Sequence, residues 1–268
     1  SAPYPLLAQI IYLTNGARSN YNAFTTSVNK RYSKGLQFQV SYNFAKNLSN
    51  EGGYAPGGFA SEGGGELSDA TNPNIDYGNV AYTRRNRFLT TFLYNLPFSH
   101  TGNRIVNQVA GGWELAGVLT FQTGAFLQVV ASGADPSGTN FPNLQGSGRV
   151  DTVSGVSPYA TSQSPAQWFN AAAFAIPANN IGRFGDEPVG YVNGPGTQAV
   201  SLSLFRTVNV TEKVHVRVGI SAANAFNHPN YGNPGTTLNS STFGTITSLQ
   251  SAEGAGPRQV QLTGRITF

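Results

Sequence analysis

Three histidines, His100, His215 and His228, are the first residues to test for chemistry, and they lie far apart in unrelated sequence contexts. No two have metal-ligand spacing on one strand or helix. Cysteine is absent, which removes disulfides, thiolate metal sites and cysteine nucleophiles. There is no Gly-x-Ser-x-Gly elbow, and runs such as Gly63-Gly64-Gly65 lack the lysine and helix of a phosphate-cradling loop. The acids Glu62, Glu66, Asp69 and Asp76 share one stretch, but not at EF-hand spacing, so a solvated loop is expected there. No basic run interleaved with aromatics points to nucleic acid. An enzyme, a metal site and a bound cofactor are therefore not expected. What remains is a polar set, Glu114, His215, Arg217 and Arg265, and an aromatic pair, Trp168 and Phe169. That pair shares its loop with Asp135, Asn140 and Asn143, and either contacts a ligand or packs the loop onto a rim.

The elements that would position these residues are set by composition. Only 10% of the 268 residues are charged, against roughly 25% in a typical soluble domain. Hydrophobic content is only 39%, yet aromatics reach 12% and there are 32 glycines. Scarce charge with modest hydrophobicity suits a membrane barrel, whose strands show one apolar face to lipid and one uncharged polar face to a lumen. No stretch approaches the ~18 apolar residues of a membrane helix. The net charge of +4 reflects a small excess of lysine and arginine among few charges. The chain starts at Ser1, contains no methionine and shows no signal-peptide pattern. A processed chain, a proteolytic fragment or part of a longer protein is expected.

Hydrophobicity has a period of two almost wherever it is regular. In the segment 36–44, Leu36, Phe38, Val40, Tyr42 and Phe44 alternate with Gln37, Gln39, Ser41 and Asn43. The same pattern places Phe88, Phe92 and Tyr94, then Trp113, Leu115 and Leu119, then Val216, Val218 and Ile220, then Val260, Leu262, Ile266 and Phe268 on apolar faces. About eight strands are expected, near 8–15, 20–32, 35–47, 86–98, 112–131, 197–208, 212–227 and 257–268, with a bend or break at Gly124 in the fifth. Such lengths exceed the soluble mode of about 5–6 residues and match a tilted membrane crossing. Long segments at 48–85, 132–196 and 228–256 alternate with short links near 33, 105 and 210, as outer loops alternate with periplasmic turns. The fold class read from this is an all-β, antiparallel transmembrane β-barrel. If the last strand ends in the periplasm, Tyr32, Phe98, Trp113 and Phe268 fall at periplasmic strand ends on the lipid-facing parity, as an aromatic girdle. Lys30 shares that parity and is expected to snorkel to the interface. His215, Arg217 and Arg265 fall on the lumen parity, with Glu114 as a candidate partner.

Six groups of segments resemble the C-terminal barrel of TonB-dependent receptors carrying a carboxypeptidase-regulatory-like domain, the Oar-like group. They are Ser19–Phe24 with Lys30-Arg31-Tyr32; Gly112–Gly117 running into Gln122-Thr123-Gly124; Gln167–Phe174; Gly194-Pro195-Gly196 with Ser201–Phe205; Ala225–Gly232; and Arg265–Phe268. The resemblance implies that the chain is the last third or so of a 22-stranded barrel. It further implies an N-terminal plug and a TonB-contacting segment elsewhere in the polypeptide, and uptake of a large nutrient such as an oligosaccharide, peptide or metal chelate. It also implies that Phe268 belongs to the signal read by the outer-membrane assembly machinery. The expected location is the outer membrane of a Gram-negative-type bacterium, with outer-membrane lipid as a partner. The alternatives are a self-contained small barrel or pore and a structural or adhesive surface β-protein.

Overall fold

The computed structural model describes residues 16–50, 67–69, 71–97, 111–140 and 146–268. Seven long strands dominate it: β1 (Ser19–Ser33), β2 (Leu36–Ser49), β3 (Asn86–Asn95), β4 (Trp113–Gln122), β5 (Thr197–Asn209), β6 (His215–Ala223) and β7 (Gln259–Thr267). Each pairs antiparallel with the next, so the sheet is a meander in strict chain order, and the short strand Gly78–Asn79 adds to the outer end of β2. The expected strand at 8–15 and the end of the strand at 86–98 lie outside the described residues, as do Phe98, His100, Glu62, Glu66 and Asn143. The expected strand at 112–131 ends at Gln122. A Cβ on Gly124 would come within 1.7 Å of the Gly194 carbonyl oxygen, so the two backbones cross there and the ladder cannot continue. The chain resumes at Phe126–Leu127, paired with Val192–Asn193.

Register decides which residues share a face. Val28 pairs with Val40, Phe38 with Phe92, Phe88 with Phe121, Leu115 with Leu204, Leu204 with Ile220 and Ile220 with Leu262. One apolar surface therefore runs across all seven strands. The opposite surface carries Asn43, Ser41, Thr91, Ala116, Ser203, Ser221 and Gln261, with Ser203 bonded to Ser221 at 2.9 Å. The exposed aliphatic side includes Leu262 at 78% and Phe268 at 95% exposure. Contiguous exposed apolar surface of this kind suits lipid rather than water.

Most of the buried apolar core lies outside the sheet. Leu127, Val129, Val150, Phe169, Phe174 and Val192 form one cluster, joined by Trp168, Tyr159 and Phe243. These residues come from the 124–196 and 228–256 segments, so the long outer loops fold into a packed cap. Short turns at Lys34-Gly35 and around residues 210–214 occupy the other end of the sheet. Outer-membrane barrels place long loops outside and short turns on the periplasmic side, and the cap end and the turn end are named outer and periplasmic on that basis.

Candidate functional site

At the periplasmic end, Glu114, Phe205 and Arg217 occupy one rung of β4, β5 and an adjacent rung of β6 on the polar face. Arg217 forms an ion pair with Glu114 at 2.6 Å, and its guanidinium lies 4.3 Å from the Phe205 ring centroid. Gly219, directly opposite Phe205, makes room for that ring: a Cβ there would sit 2.2 Å from it. Arg265 stands opposite Arg217 on β7 and makes no ion pair among the described residues. His215 is not part of this set. Its Nδ1 lies 2.8 Å from Asn209 Oδ1, across the β5–β6 turn. The arrangement leaves one surplus positive charge on the polar face, a surface that can attract carboxylates.

On the lipid side of the same end stand Trp113 and Phe268, with the Arg206 guanidinium 5.6 Å from the Trp113 ring centroid. Lys30 bends to the hairpin turn, its ammonium donating to Ser33 O, Ser33 Oγ and Leu36 O at 3.1, 2.8 and 3.2 Å. A register shift between Lys30 and Ser33 interrupts the two-residue count just before Tyr32. Counting therefore does not assign Tyr32 to the lipid face, and its hydroxyl accepts from Asn95 Nδ2 at 2.6 Å.

At the outer end, the segment between β6 and β7 turns onto the polar face. Arg87, Gln122 and Thr197 are directly opposite one another on β3, β4 and β5 and bond in a row, at 2.9 and 3.2 Å. Thr197 then donates to Gln250 at 2.6 Å, and Arg87 pairs with Glu253 at 2.5 Å. The stem of this strap is held by two buried asparagines. Asn224 Nδ2 donates to the His228 and Gly256 carbonyls, both at 2.8 Å. Asn230 donates to Ala255 O at 3.0 Å and accepts from Gln198 N at 2.7 Å, a β5 edge group that β6 does not reach. The strap lies across the mouth of the would-be lumen.

Within the cap, Phe169 is 2% exposed and packs on Tyr159 and Phe243, so it offers no surface to a ligand. Trp168 donates its indole N–H to Asn193 O at 2.9 Å and ties its hairpin to the backbone just above β4 and β5. Both aromatics pack the loop. Asp76, expected in a solvated loop, is 1% exposed. It pairs with Arg149 at 2.8 Å and accepts from Ser68 N and Oγ. The reason is that segment 67–79 is clamped between the cap and β2, with Asn79 N donating to Val189 O at 3.0 Å.

A cleft of ≈ 570 Å³ separates that segment from 182–189 and is lined in part by Asp69, Tyr77, Arg149, Arg183, Asp186 and Glu187. Arg183 is paired with Asp151 at 2.7 Å, Arg149 is paired with Asp76, and Asp186 accepts from Thr152 N at 2.7 Å. Glu187 is 1% exposed, and burial pushes its carboxyl up to about 8, against the opposing pull of the Val129 N–H and Arg149. Asp69 and Asp186 accept hydrogen bonds from Thr71 and Thr152 and make no ion pair among the described residues, so the cleft presents two carboxylates beside its paired arginines. Among the described residues no group of three His, Asp or Glu side chains is placed to hold a metal.

A family described as an outer membrane beta barrel domain matches residues 1–261, all but the last seven of 268. The chain belongs to that family. Searches of curated proteins and of solved structures matched nothing. Family membership places this barrel domain in the outer membrane, and the apolar face of the sheet is then its lipid surface. Sequence reasoning anticipated the polar-face parity of Glu114 and Arg217. It missed Arg87, Gln122, Gln250, Glu253 and Asn230, and the only available signal for Asn230 was its place in the resembling segment 225–232. It also missed the buried pair of Asp76 and Arg149, whose partners are far apart in the chain.

Proposed function

We propose that this chain forms part of the wall, and much of the outer cap, of a larger TonB-dependent receptor barrel that takes up a large polar nutrient. The observation that carries this reading is directional. Six successive antiparallel pairings leave β1 and β7 running the same way, and nothing among the described residues pairs with either outer edge. Direct closure of β7 on β1 would be parallel, whereas outer-membrane barrels are antiparallel with an even strand number. An odd number of further strands must intervene, and unpaired edges in lipid are costly. Between its charged ends the polar face is also rich in Ser, Thr, Asn, Gln and Ala, which would poorly fill the interior of an eight-stranded barrel. In this reading the protein is passive in chemistry. The cap and its cleft grip the nutrient, the surplus arginine of the periplasmic rung faces a plug, and TonB and that plug come from elsewhere in the polypeptide.

The test is the mass and N-terminus of the native polypeptide in its own outer membrane. A far larger species with upstream plug sequence is the expected result. One additional strand, such as one within residues 8–15, would also satisfy antiparallel closure, so a small self-contained barrel is the second reading. A native 268-residue species that conducts ions by itself would favour it. The proposed assembly role of Phe268 has its own test: deleting that residue should lower outer-membrane yield, and unchanged yield would remove the role.

A further inference from the structure

We propose that the β1–β2 hairpin carries a specific site for an anionic phospholipid of the periplasmic leaflet. The site is a cavity of ≈ 390 Å³ lined by Lys30, Ser33, Lys34, Leu36, Phe92 and Tyr94. Register puts Lys30, Leu36, Phe92 and Tyr94 on the lipid-facing side of β1, β2 and β3, because Lys30 pairs with Phe38, Phe38 with Phe92, and Leu36 with Tyr94. The cavity therefore opens to lipid, at the periplasmic end of the sheet.

Its chemistry is two-sided. Apolar and aromatic walls from Leu36, Phe92 and Tyr94 suit the upper part of an acyl chain, and ammonium groups sit at its periplasmic edge. Lys30 spends its donors on the turn, so it contributes charge and fixes the turn's shape. Lys34 makes no hydrogen bond or ion pair among the described residues and is free to donate to a phosphate. Its left-handed backbone, φ 52, places it at the tip of the tight turn with Gly35.

Charge complementarity selects the head group. From Ser19 to Ser49 the hairpin contains Lys30, Arg31, Lys34 and Lys46 and not one aspartate or glutamate. Three of those four cations lie within five residues of one another at the periplasmic tip. The other described periplasmic turn, between β5 and β6, balances Lys213 with Glu212. Clustered basic residues at a membrane interface gain about fivefold in affinity for anionic lipid per residue. A hairpin lacking any counterion of its own has that charge to spend on lipid. This inference rests on the family assignment and not on the uptake reading.

The experiment is native mass spectrometry of the full native polypeptide in detergent, titrated separately with phosphatidylglycerol and phosphatidylcholine. One phosphatidylglycerol should be retained at least about fivefold better than phosphatidylcholine, and the preference should weaken as salt rises. The double variant Lys30→Gln with Lys34→Gln should abolish the preference. Lys34→Asn, which keeps a residue tolerant of the left-handed turn, should reduce it about fivefold without disturbing insertion. Lys213→Gln should leave it unchanged. The proposal is overturned if the two lipids bind equally, if the preference survives Lys34→Asn, if Lys213→Gln removes it as well, or if inorganic phosphate alone displaces the lipid. That last result would mark a free-phosphate site. A transport defect in an upstream plug deletion would leave these outcomes untouched, so the two readings fail separately.

Discussion

The sheet and the cap are made from the same chain by two different kinds of bonding. In the sheet, side chains on the lipid face are largely exposed, and order comes from a backbone ladder across seven strands whose alternatives in lipid are all worse. In the cap, regular strands are only two to six residues long, and order comes from a dry cluster around Phe169 together with the buried Asp76–Arg149 ion pair and buried asparagines. The cap is thus held like a small soluble domain, on top of a wall that is held like a membrane protein. Each should fail without the other failing.

The largest expected separation comes from Phe169→Ala. Emptying that site should cost the cap about 3–5 kcal/mol, read as lost hydrogen-exchange protection and new proteolysis across 125–196. The sheet should keep its heat-modifiable migration on gels. A barrel that unfolds along with the cap would break the comparison. Next is a pair of neighbours on opposite faces of β5. Leu204→Arg should destabilise the lipid face by about 2–4 kcal/mol and lower the yield of inserted protein. Ser203→Arg, one residue away on the polar face, should insert normally.

A third expectation concerns pH and touches the cap alone. The buried Glu187 carboxyl keeps its proton up to about 8, whereas its ordinary value is 4.5. As pH rises through 4.5 the unfolded cap releases that proton and the folded cap retains it. Cap stability therefore falls from pH 4.5 to about 8 and is level above that. Glu187→Gln should flatten the slope in a denaturation series monitored by exchange in the cap. The smallest effect is expected from Glu114→Gln. Its ion pair with Arg217 is partly exposed on the polar face, so the loss should stay below about 1 kcal/mol in a folding titration in detergent.

The difference between the two regions also explains what could be read beforehand. Strands such as 36–44 and 260–268 announce themselves because a sheet between lipid and water imposes a period of two on every crossing. The expected boundaries of β1, β2 and β5 fall within a residue or two of those observed. The strand expected at 212–227 is shorter, ending at Ala223, because Asn224 takes a left-handed backbone, φ 46, and turns its side chain into the strap. The cap has no such period. Phe169, Val150 and Val192 are each apolar residues in glycine- and asparagine-rich stretches, and only their meeting makes a core. Segment 167–174 was conspicuous as a pattern, but its role in packing was one of two open readings.

The sequence by itself determined the class of protein, the cores of the long strands and, away from the β1–β2 tip, which of their side chains share a face, because alternation is a local consequence of backbone geometry. It also fixed the charge of the β1–β2 hairpin, which is a matter of counting. Only the tertiary structure decided that the outer loops form one packed cap, that Asp76 and Glu187 are buried in it, and that Gln250 and Glu253 lie across the polar face. Those outcomes depend on contacts between residues tens of positions apart. Whether such a residue meets lipid, water or a partner is set by the whole fold, and no local pattern records it.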